Sequence, residues 1–178
     1  MNELFEKKNL PFYKFGDAIY LAKIETKYWI EYICKRFENT GKHISPELAE
    51  EICRLVDNHS SYVQQLSWLL WIRTINTATT EQLSYALEDL LDQNNILFQS
   101  ETENLSAYQM NFLKAIVDGI HTKFSSKEVI SKYNLGTSAN IVRLKNALLQ
   151  KELIETNGKE IVLADPVFEV WFKKEMLY

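Results

Sequence analysis

The stretch "TSANIVRLKNALLQKELIETNGKEIVLADP", from Thr137 to Pro166, decides how this chain is read. Gly136 marks the turn into a helix that carries Ile141, Leu144, Leu148 and Leu149 at helical spacing. A short link follows, then two short strands joined by Asn157-Gly158, the dipeptide best suited to a type I′ hairpin. That order sets one helix beside one β-ribbon, a shape able to offer the helix to a partner. Whether the partner is nucleic acid or protein is a question of charge.

The chain carries a net charge of −4. From residue 100 onward, ten Lys and Arg are cancelled by ten Asp and Glu. Duplex affinity comes largely from neutralising phosphates, so a neutral half in an acidic chain lacks the footprint of a dedicated DNA binder. The outward face of the helix is Thr137, Ser138, Asn140, Arg143, Lys145 and Asn146, because the apolar residues take the other side. Asn and Arg there have the hydrogen-bonding groups for base edges, but the same residues equally serve a solvated face or a protein contact. Where shape and electrostatics disagree, electrostatics is followed: the expectation is a protein partner, with DNA disfavoured.

The same punctuation extends in both directions. Ser106-x-x-Gln109 caps a helix with Phe112, Leu113, Ile116 and Val117, and Ser125-x-x-Glu128 caps the short helix "SKEVISKYN". Downstream, "PVFEVWFKKEM" is amphipathic, with Val167, Phe168, Trp171 and Phe172 inward. Helix, helix-turn-helix, hairpin and final helix together describe a winged-helix domain. The polar segment "QSETENLS", Gln99 to Ser106, reads as a linker ahead of it.

Four helices precede that linker. Thr26 can cap the first, whose stripe is Trp29, Ile30, Ile33, Cys34 and Phe37 and which ends at Gly41. Ser45-Pro46 opens the second, with Glu47 complementing the helix dipole and Leu48, Ile52, Leu55 and Val56 inward. The third, "SSYVQQLSWLLWIRT", is apolar around most of its circumference and is expected in the middle of a bundle. The fourth opens with a Thr79-x-x-Gln82 capping box and repeats Leu83, Ala86, Leu87, Leu90 and Leu91. The fold class is mainly α: a four-helix bundle, then a winged helix.

Composition narrows the function. At 178 residues and 46% hydrophobic, the chain has ample material for packed cores. No apolar run approaches the roughly 20 residues of a membrane span, and "MNELFEKKN" has no secretory character. Cys34 and Cys53 form no CxxC pair, which suggests reduced thiols in a cytoplasmic protein. The five glycines are isolated, and neither GxxxxGK[ST] nor GxGxxG occurs. His43, His59 and His121 share no metal-ligand spacing, and no Gly-x-Ser-x-Gly elbow exists. No catalytic or metal residue is expected in this chain.

Two further features invite a reading. The loop "VDNHSSYVQQ" leads into the third helix, and a helix N-terminus suits a phosphate, with Asn58, His59 and Ser60 lining it. Ordinary capping by Asn58 or Ser60 accounts for the same residues. Near the start, Phe12, Tyr13, Phe15 and Tyr20 sit on an extended segment with no partner strand in sight, so it reads as the end of something lying upstream, and Met1 as a cut within a longer protein.

In combination, "MNELFEKKNLPFYKFGDAIYLAKI", Trp29 and Phe37, "VDNHSSYVQQLSWLLW", "LSAYQMNFLKAIVDG" and "VLADPVFEVWF" follow one another in a familiar order. The whole chain resembles the C-terminal part of the archaeal-type ATPase family, P-loop ATPases of the AAA+/STAND kind. The most specific pieces are Asp165-Pro166-x-Phe168-x-x-Trp171 and "NHSSYVQQL". By this resemblance residues 1–24 are the tail of a P-loop core, 25–98 a helical lid, and 99–178 the winged-helix domain. The family's Gly-x-Pro lid motif, near the nucleotide, falls on Asn58-His59-Ser60, where neither Gly nor Pro is kept.

The resemblance implies a non-catalytic region that couples nucleotide state to protein contacts. ATP and Mg belong to the full-length parent, whose upstream core is the first partner; a further protein partner is expected and no membrane. The rival expectation is a free-standing winged-helix transcription regulator whose bundle dimerises. A third is a structural adaptor with no nucleotide connection.

Overall fold

The computed structural model describes residues 22–176. The aromatic segment Phe12 to Tyr20, and nearly all of the expected core tail, lie outside the described residues.

Four helices come first: α1 (Thr26–Glu38), α2 (Pro46–Leu55), α3 (Ser60–Arg73) and α4 (Thr80–Glu103). The pairs α1 with α2 and α3 with α4 make the main packing layers. Trp29, Ile33 and Phe37 from α1 meet Leu48, Ala49, Ile52 and Cys53 from α2 in one buried cluster. Ser45 caps α2 by accepting from the Leu48 N–H, with Pro46 at the first position. Thr79 and Gln82 close a reciprocal capping box at α4. Such caps contribute about 1 kcal/mol each. Thr26 does not cap α1. Glu25 holds the N-cap position with no side-chain bond, because the Thr26 hydroxyl is paired with the Asn58 amide at 3.0 Å.

The third helix departs from its expected place. α3 buries Val63, Leu66, Leu69 and Leu70, yet Trp68 and Ile72 stand in solvent and Trp71 is half-buried. No element among the described residues covers that face.

The linker reading is also corrected. α4 runs unbroken through Gln99–Glu103, and only Asn104, Leu105 and Ser106 connect it onward. Phe98 and Thr102 are buried one turn apart, with the Thr102 hydroxyl donating to the Phe98 carbonyl. The residues between them are largely exposed. A helix end with one narrow buried stripe therefore has the polar composition of a linker.

The second half comprises α5 (Ala107–Val117), α6 (Lys127–Tyr133), α7 (Ser138–Gln150), β1 (Ile154–Asn157), β2 (Glu160–Leu163) and α8 (Pro166–Met176). Ser106 and Gln109 form the expected box at α5. Ser126, not Ser125, caps α6, since its hydroxyl is the one that reaches the Val129 N–H. The strands pair antiparallel from Ile154↔Leu163 to Asn157↔Glu160, which puts Gly158-Lys159 at the tip rather than Asn157-Gly158. Only Gly158 of these has positive φ, +61°, the sign pattern of a type II′ turn with Gly first. α8 buries Val167, Phe168, Trp171 and Phe172, and packs on α4, α5 and β2.

Candidate functional site

The loop between α2 and α3 is built on backbone strain. Asp57 and Asn58 both have positive φ, +45° and +54°. Their N–H groups and that of His59 fold back on the end of α2, Asn58 donating to the Cys53 carbonyl at 2.9 Å. Left-handed backbone disfavours a Cβ, and Asn is among the few residues that tolerate it. Asn58 thus adopts a conformation open to glycine at the position where the resembled motif has Gly. Ser60, at the Pro position, is the first residue of α3, where proline is preferred.

The three residues face different ways. The Asn58 amide is spent on Thr26, His59 and Ser60 are exposed, and His59 sits on the Tyr62 ring at 4.7 Å. As N-cap of α3, His59 gives no side-chain bond to the first-turn N–H groups. That helix end suits an anion. The flank toward α2 does not: a cleft of about 470 Å³ there is lined by Glu47, Glu50, Glu51 and Asp57 against a single Arg54. The Arg54 hydrogen bond holds the Glu51 carboxyl below its usual range, and a backbone hydrogen bond does the same for Glu47. Both are charged at neutral pH, so phosphate is repelled from that side.

Tyr62, one turn into α3, links this loop to the winged helix. Its hydroxyl donates to Asp165 Oδ2 at 2.6 Å, while Asp165 Oδ1 accepts from the Val167 and Phe168 N–H groups and caps α8. Burial, then the neighbouring Asp165, pushes the Tyr62 hydroxyl far up, so it stays a donor. Burial and Asp165 also raise Glu101. Two turns of α8 further on, Trp171 Nε1 donates to Asn95 Oδ1 at 2.8 Å, and Phe98 packs edge-on to Phe168 with centroids 5.3 Å apart. The Asp165-Pro166-x-Phe168-x-x-Trp171 motif is therefore the joint between the two halves. Tyr62 stands inside the "NHSSYVQQL" stretch, but its partner was not legible, and Asn95 and Glu101 gave no signal, because the partners lie 64 to 103 residues away.

The second candidate surface is α7. Thr137 caps it, and Ser138, Arg143 and Asn146 are exposed. Lys145 is half-buried, and the Asn140 amide donates to the Leu135 carbonyl at 3.0 Å, which ties that group to the preceding turn. The adjoining wing exposes Glu155 and Glu160 with one cation, Lys159.

Burial lifts the Cys53 thiol to about 11, which keeps it protonated, and His121 Nδ1 lies 3.1 Å from the Ile161 carbonyl. Among the described residues no group of three or more His, Cys, Asp or Glu is placed to hold a metal ion, and no helix is long and apolar enough to cross a membrane.

These features have counterparts elsewhere. A family model described as a probable winged helix domain matches residues 96–174, starting inside α4. Among solved structures, the Walker-type ATPase of Pyrococcus abyssi superposes with a TM-score of 0.66 at 18% identity, over 94% of this chain and 47% of its own. The chain thus spans about half the length of that protein, and at this identity the likeness is one of fold. No curated protein sequence matches. Residues 96–174 form a winged-helix domain, within a chain that shares its fold with about half of a Walker-type ATPase.

Proposed function

We propose that this chain is the lid and winged-helix region of a P-loop ATPase, non-catalytic alone, which passes nucleotide state to a protein partner. The observation that carries this is the Tyr62–Asp165 hydrogen bond, which joins the Asn58–Ser60 loop to the cap of α8. In this reading the open first turn of α3 and His59 would face the phosphates, and an upstream core would supply ATP, Mg and the hydrolytic groups. A ligand shifts a conformational equilibrium only through differential contacts, and the left-handed backbone at Asp57 and Asn58 is where such contacts would act. The wing points to protein rather than DNA, because Glu155 and Glu160 would approach phosphate.

The test is hydrogen exchange on the protein together with its P-loop core, with ATP and with ADP. Protection should differ at Asn58–Tyr62 and at Asp165–Phe168, and Tyr62→Phe should confine the difference to the loop. A wild-type response confined to the loop sinks the coupling role. Steady ATP turnover by this chain alone sinks the non-catalytic assignment.

A further inference from the structure

Along one side of the bundle, α1 and α3 flank a groove of about 620 Å³. Its floor is Ile33 and Phe37, and its rims are Tyr32, Arg36, Trp68 and Trp71. Trp68 is 56% exposed, Ile72 stands in solvent one turn on, and Ile75 is exposed just past the end of α3. Trp, Tyr and Arg are the residue types that anchor protein interfaces, since each removes a large rigid surface from water and keeps a polar tip. No carboxylate lines the groove. The one cation in the lining, Arg36, has its guanidinium over the Tyr32 ring at 5.3 Å, and beside the groove Lys42 lies over the Trp71 ring at 4.1 Å while donating to the Trp71 carbonyl.

The complementary chemistry stands on the same chain. α4 is 24 residues long and contains six carboxylates and no Lys or Arg. Its outward line runs through Glu88, Asp92, Ile96 and Glu103. Ile96 is 82% exposed and Leu97 55%. Ile96 lies on that line and Leu97 flanks it, so a small exposed apolar patch is set in an acidic helix.

We propose that the groove between α1 and α3 of one chain binds the Ile96–Leu97 face of α4 from a second copy. The two patches differ, so the contact is head-to-tail, and each chain retains one open patch after pairing. Opposite charge steers the encounter and fixes its direction, while the aromatic rims and Ile96 supply the buried apolar area. Nothing in this contact depends on nucleotide, so it stands apart from the coupling role.

The experiment is sedimentation equilibrium over a wide concentration range on wild type, Trp68→Glu and Ile96→Asp. Both substituted side chains are exposed, and an unchanged urea midpoint verifies that each variant folds. Wild type should self-associate beyond the monomer. Each variant alone should associate at least roughly tenfold more weakly. An equimolar mixture of the two should form a 1:1 dimer and stop there, because the groove of Ile96→Asp meets the intact α4 of Trp68→Glu. A wild type that stays monomeric overturns the proposal and leaves the groove to a different protein. Variants that associate as wild type does, or a mixture that stays monomeric, overturn it too.

Discussion

Asn58 shows what one side chain does here. Left-handed backbone costs most residues roughly 1–2 kcal/mol, and Asn58 avoids much of that while its amide ties the loop to Thr26. Asn58→Ala loses both advantages and is expected to lower stability by roughly 1–2 kcal/mol, read from urea unfolding. Asn58→Gly keeps the backbone and loses only the amide, so its cost should be under about 1 kcal/mol. Equal losses in the two would show that strain is unimportant at this loop. Glu101 offers a pH test with a definite sign. Burial and Asp165 raise its carboxyl above the ordinary 4.5, so its contribution to stability is complete below that value and is lost as pH rises through the folded one. Glu101→Gln should therefore raise the urea midpoint at pH 7, and the gain should vanish near pH 4. A gain that stayed constant with pH would have another cause.

Among the elements, α4 teaches most. Ser100 is exposed, in the segment that reads as a linker from composition. A proline in a helix interior costs ~3 kcal/mol, whereas a linker tolerates it. Ser100→Pro should therefore lower the thermal midpoint by several degrees, and an unchanged melt would restore the linker reading. What was legible in the sequence was local. The Thr79–Gln82 and Ser106–Gln109 boxes each close over three residues and stand where they were expected. The apolar stripes of α2 and α8 were legible for the same reason. Short-range reasoning failed where a distant partner decides. Thr26 serves Asn58 instead of its own helix, and Phe98 and Thr102 hold a polar stretch helical through what they are buried against. At the hairpin, strand register moved the tip by one residue and changed the turn type.

At the scale of the whole molecule, the order of elements was readable because each carries its own periodicity, and the winged-helix assignment followed from that order. Placement was not readable. The apolar girth of α3 marks a helix in need of neighbours, but it does not say that Trp68 would be left without one among the described residues. The candidate loop was legible as a helix start; its bond to α8 through Tyr62 was not.

The unbroken α4 has a mechanical consequence. A 24-residue α-helix is a stiff rod ~36 Å long, so a tilt of about 5° at its Thr80 end swings the Glu103 end by roughly 3 Å. α8 rests on Asn95 and Phe98 toward the far end of this rod, so a rotation of α4 would reach the winged-helix half with a gain set by the length of one helix.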